Sequence, residues 1–189
     1  MKYYVMYAET CVEDYVCPDD TLDVCERACY KSELQFFDKQ PITVGISDEG
    51  GIEFTDLIIK NDCIPLFSRH LRQVLDEANI DYIAYRPVTL SYDRLGICEE
   101  YYLALIPRIR CLDLDRSKIC IEENNDLRYD QLMKEVEHIV INANNVGRFE
   151  IFKLPMEYEN QEIIVSERLM NKILTRRLKN IIFSELDQG

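Results

Sequence analysis

Two stretches of this chain align without a gap. "PLFSRHLRQVLDEANIDYIAY" begins at Pro65 and "IIVSERLMNKILTRRLKNIIF" at Ile163, a separation of 98 residues. Leu66 falls on Ile164, Ser68 on Ser166, Leu71 on Leu169, Leu75 on Ile173, Ile83 on Ile181 and Val88 on Leu186. A sequence that repeats over such a length must satisfy one local fold twice, so internal similarity outranks other signals. Two copies this far apart indicate a pseudo-duplication and not a solenoid.

Each copy reads as strand, helix, strand. The runs "IPLF" and "EIIV" are short and apolar, and Ser68 and Ser166 stand where a helix N-cap belongs, offering an oxygen to a free amide of the first turn. Leu71, Val74, Leu75 and Ala78 recur at helical spacing, and Met170, Ile173, Leu174 and Leu178 keep a comparable face. A nucleophilic role for either serine lacks a tight glycine-flanked turn and an assigned base, so capping is the expectation.

Elsewhere "KYYVMYAE", "YYLALIPRIRCLDLDRS", "EHIVINAN" and "FEIFKL" read as strands, with Pro107 interrupting the second. "RYDQLMKEVE" reads as a short helix, and Asn144-Asn145-Val146-Gly147 as a turn. The expected class is α+β, mostly antiparallel sheet with few helices and two strand-helix-strand units. The expected division is an acidic segment, 1–50, packed on a main domain, 51–189, with repeat units near 63–90 and 161–188.

Charge is unevenly distributed. The chain carries 35 acids and 22 bases, net −13. Residues 1–50 hold 11 acids and 4 bases, a net of −7, whereas 151–189 hold 6 of each. Such a surface disfavours nucleic acid and anionic membrane and favours a basic partner. Nothing here resembles a signal-peptide core or a membrane span, so a cytoplasmic protein is expected.

Eight cysteines in that setting imply reduced thiols. Cys11, Cys17, Cys25 and Cys29 are poorly spaced for zinc, and Leu22, Cys25 and Cys29 fit the apolar stripe of a helix starting near Asp20 or Thr21. No metal or cofactor is therefore expected. The two histidines, His70 and His138, lie in different elements. Asp113 and Asp115 in "CLDLD" would share one face of a strand, a pattern more common on a solvated face than in an acid–base pair. No phosphate loop, dinucleotide fingerprint or HExxH is present.

The series "PLFSRHLRQVL", "YRPV", "YYLAL…CLDLDRS", "IFKL" and "IIVSERL", spread over residues 52–186, resembles a family of bacterial immunity proteins encoded beside polymorphic toxins. The resemblance implies a non-enzymatic protein that neutralises a cognate toxin by direct binding in the producing cell. Acids steer a basic partner and a tyrosine offers broad contact area, so Glu13, Asp14, Tyr15, Asp19, Asp20 and Asp23 are the candidate toxin-binding residues. The competing readings are a small enzyme using scattered carboxylates or a Cys–His pair, and an adaptor unrelated to toxins.

Overall fold

The computed structural model describes residues 2–9, 13–18, 42–47, 50–59, 64–92, 95–121, 134–155 and 162–186. The chain divides into two compact units. The first comprises Met1–Met6, Ile106–Asn171 and Phe183–Gly189, the second Tyr7–Leu105 and Lys172–Ile182.

The second unit is built on a five-stranded sheet. Its strands are β2 (Ile42–Gly45), β3 (Leu57–Ile58), β4 (Leu66–Ser68), β5 (Ala84–Tyr92) and β6 (Ile97–Leu105), in the order β2-β5-β6-β4-β3. Only β2 and β5 run parallel; the remaining pairs are antiparallel. β5 and β6 form a hairpin that stays in register from Ala84↔Leu105 to Tyr92↔Ile97, and Gly96 takes φ +62 in its turn, which costs glycine nothing. Pleating sends Tyr101 and Leu103 to one face. There they join Val16, Val44, Ile46, Leu66, Val88 and Leu90 in a buried cluster.

Helix α1 (Arg69–Glu77) follows β4 directly and buries Leu71, Val74 and Leu75. Its Arg72 guanidinium lies 4.3 Å from the ring centre of Tyr102 and 4.9 Å from that of Tyr85. The cation therefore covers aromatic faces while its stem packs. Asn79, at φ 60, ends the helical turn.

In the first unit, β1 (Tyr3–Tyr7) pairs antiparallel with β10 (Ile163–Ser166), which pairs antiparallel with β9 (Ile151–Phe152). β11 (Ile182–Glu185) completes the order β11-β1-β10-β9. Tyr3, Phe152, Leu154 and Ile164 cluster with Cys111, Leu112, Val136, Ile139 and Val146, and the Tyr3 and Phe152 rings meet edge to face at 5.8 Å. A ribbon of β7 (Lys118–Ile121) and β8 (Lys134–His138) and a single turn of helix, α2 (Ala143–Val146), complete it. Helix α3 (Glu167–Thr175) follows β10, and its residues from Lys172 on are counted in the second unit.

The α+β class with predominantly antiparallel pairing is what the sequence leads one to expect. Four local readings are overturned. Lys134–His138 is strand, paired Ile119↔Val136, where a helix over 128–137 was expected; cross-strand pairing overrides the modest helix preference of "KEVE". The strand expected through "EHIVINAN" stops at His138 and keeps only the Leu112↔Ile141 bridge beyond it. The Asn144–Gly147 turn is helical up to Val146: Asn142 Oδ1 accepts the Asn144 amide at 3.1 Å, and Gly147, at φ 64, ends it. Asp113 and Asp115 lie in a turn and not on a strand. Asp113 Oδ1 accepts the Asp115 amide at 3.2 Å, and its carbonyl accepts that of Ser117 at 2.8 Å, the local bonding by which aspartate favours turns.

Candidate functional site

The second unit carries a cleft of about 790 Å3 at the N-terminus of α1. Phe54, Asp56, Ser68, His70, Tyr101 and Lys179 are among the residues lining it. Its floor is set by how α1 begins. Ser68 has extended backbone (φ −64, ψ 165), and its Oγ accepts the Leu71 amide at 3.1 Å. The same hydroxyl donates to Asp56 Oδ1 at 2.5 Å, and Asp56 Oδ2 accepts the Lys179 amide at 2.7 Å.

The Asp56 carboxylate is thus held almost out of solvent, at 11% exposure, by two donors. A buried carboxylate without such donors would be strongly unfavourable. Its main chain is bound as well: its amide donates to the Lys179 carbonyl at 3.0 Å, and its carbonyl accepts the Ser68 amide at 2.9 Å. Tyr101 donates its hydroxyl to the Thr55 carbonyl at 2.5 Å, and burial raises its pKa above the usual phenol value.

This constellation contains serine, histidine and aspartate, but in an order that does not activate a nucleophile. Catalysis requires the imidazole between hydroxyl and carboxylate, positioned to take the serine proton. Here the Ser68 proton goes straight to Asp56. His70 Nδ1 lies 3.7 Å from that carboxylate with its side chain 77% exposed, beyond hydrogen-bond distance. The arrangement caps a helix and fixes a loop.

Of the described cysteines, Cys111 is buried, Cys120 is partly buried, and Cys17 and Cys98 are exposed. Burial pushes the Cys111 thiol up to about 12, which keeps it protonated and unreactive. Cys120 Sγ donates to Glu137 Oε1 at 2.8 Å. Among the described residues, no three His, Cys, Asp or Glu side chains gather as metal ligands. Also among the described residues, no helix is long and apolar enough to cross a membrane.

Glu13, Asp14 and Tyr15 form a turn in the same unit, with Glu13 and Asp14 exposed. Three backbone bonds hold it: Val16 N–H to the Glu53 carbonyl (3.0 Å), Glu53 N–H to Asp14 (2.9 Å) and Gly51 N–H to Tyr15 (2.8 Å). The chains approach so closely that a Cβ on Gly51 would stand 2.0 Å from the Asp14 carbonyl oxygen. Only glycine fits. Glu53 then ion-pairs with Lys179 Nζ at 2.5 Å, which links the acidic turn to the cleft. Asp19, Asp20 and Asp23 lie outside the described residues, as do Cys11, Cys25, Cys29 and the helix expected near Asp20. Of the expected set, the described residues include Glu13, Asp14 and Tyr15, which adjoin in sequence.

In the first unit, Ser166 Oγ accepts the Leu169 amide at 3.2 Å and donates to Glu150 Oε2 at 3.2 Å, where Arg168 Nε also binds, at 2.8 Å. Sequence reasoning overlooked Asp56, Lys179, Tyr101 and Glu150. A signal for Tyr101 existed, since Tyr101-Tyr102 repeats Tyr3-Tyr4 at the same 98-residue spacing as the helices. No local pattern announces Asp56 or Lys179, whose contact spans 123 positions.

No curated protein matches the chain. A family model does, over residues 12–188, nearly its full length; its description is "Immunity protein family (Imm11)". With a match of this extent, the chain belongs to the Imm11 immunity protein family.

Proposed function

We propose that this chain binds a cognate toxin of a polymorphic toxin system in the cytoplasm of the producing bacterium and neutralises it by occupancy, without catalysis. Membership of an immunity family carries the reading. Toxin contact is assigned to the acidic face that begins at Glu13, Asp14 and Tyr15 and continues in sequence to Asp19, Asp20 and Asp23.

Two features support that placement. The exposed carboxylates of Glu13 and Asp14 sit on a turn already locked to Glu53 and Gly51, so little conformational freedom is lost when a partner docks. The segment 1–50 also holds a net charge of −7 of the chain's −13, which favours rapid encounter with a basic surface.

The test is co-expression with candidate toxin domains encoded beside this chain's gene. Growth should be restored by the wild-type chain. Reversal of Glu13, Asp14, Asp19, Asp20 and Asp23 to lysine should slow association at least tenfold at low salt and flatten its salt dependence, with the circular dichroism spectrum unchanged. An unaltered association rate across the salt series would move the interface off this face.

A further inference from the structure

The strand order of the first unit, β11-β1-β10-β9, matches four consecutive strands of the second, β5-β6-β4-β3. For the helices, the strands flanking them and the tyrosine-bearing strands the match is the 98-residue repeat, while β3 and β9 stand 94 residues apart. Helices α1 and α3 run 69–77 and 167–175, and β5 and β11 start at 84 and 182. Positive φ angles recur at Asn79 and Arg177. Ser68 N–H binds the Asp56 carbonyl and Ser166 N–H that of Glu150, each at 2.9 Å. Each serine also bonds the carboxylate of that same residue, and each has a basic side chain two positions on, His70 or Arg168, beside it.

The strand beside each capping serine extends the correspondence beyond the helices. Tyr101 is the register partner of Ser68 and Tyr3 that of Ser166; Leu103 faces Leu66 and Val5 faces Ile164. Tyr3-Tyr4-Val5 and Tyr101-Tyr102-Leu103 are again 98 residues apart. Each of these strands sits in the sheet made by the other half of the chain. β6 completes a sheet from residues 42–92, and β1 completes one from residues 151–186.

We propose that the chain is a tandem duplication whose first strands have changed places, and that β10 and β11 form a strand-acceptor site whose ligand is the chain's own N-terminal segment, Tyr3–Tyr7. This does not depend on the toxin reading. Chain connectivity supplies the cause. β6 follows β5 across a short turn, and closing a hairpin of that length is fast and costs little entropy. β6 therefore takes the slot between β5 and β4 before the distant β1 can reach it. Among the described residues no strand follows β11, and β1 occupies the equivalent slot. The ligand chemistry is a paired aromatic followed by an aliphatic, bound by main-chain hydrogen bonds in the manner of β-strand addition.

Engineered disulfides in the full-length chain distinguish the exchanged pairing from the unexchanged one. Val5→Cys with Ile164→Cys should cross-link on mild oxidation, read by mass mapping of the linked peptides against the native cysteines. Val5→Cys with Leu66→Cys, the pairing that an unexchanged repeat would make, should not. Where either double variant fails to fold, backbone nuclear Overhauser contacts in the unsubstituted protein decide. Contacts from Tyr4 to Val165 support the exchange. A Val5–Leu66 cross-link, or contacts from Tyr4 to Phe67, would overturn it.

Discussion

Ser68 performs two tasks with one hydroxyl. It accepts from the first turn of α1 and donates to the carboxylate of Asp56. Ser166 does the same for α3 with Glu150, but Glu150 also has the Arg168 guanidinium. The two serines should therefore respond differently to the same substitution. Ser166→Ala is expected to cost about 1 kcal/mol, the usual value of a lost cap. Ser68→Ala should cost about 2 kcal/mol, because Asp56 is nearly buried and loses one of its donors. Urea unfolding monitored at the helix signal checks this. Equal losses would show that Asp56 recovers a partner, water included. Toxin protection should survive both changes, since neither serine is assigned to the binding face.

At the scale of elements, what could be read from the sequence is what recurs within it. The strand-helix-strand segments were legible because serine, helical apolar spacing and flanking aliphatics appear twice. The β7–β8 ribbon was not, because Lys134–His138 carries no strand signature of its own and is specified by pairing with Ile119 and its neighbours. The same holds for the acidic turn. Its charge was plain in the sequence, yet its rigidity comes from Gly51, thirty-seven residues beyond Asp14, where a Cβ would collide with the Asp14 backbone. Gly51→Ala should therefore displace the Glu13–Tyr15 turn at a cost on the order of 1–3 kcal/mol, leaving the β5–β6 hairpin intact. Amide exchange should show loss of protection at Val16, Glu53 and Gly51 alone. A uniform loss across the second unit would mean that the turn is integral to the core, and unchanged exchange would mean that the backbone gives way without effect.

For the molecule as a whole, the chain carries a net charge of −13, and membership of an immunity family implies a toxin partner. The carboxylate at the heart of the cleft was invisible in advance because its role depends on Lys179, which the chain brings to it only on folding. A protein that protects by occupancy must act in proportion to its amount, whereas an enzyme turns over. Titrating the purified chain into a fixed quantity of its cognate toxin domain, with toxin activity as the readout, separates these directly. The account predicts that activity falls linearly to background at a fixed molar ratio and returns when the complex is dissociated in high salt. Full loss of toxin activity at a small fraction of an equivalent, or activity that persists with the chain in excess, would contradict it.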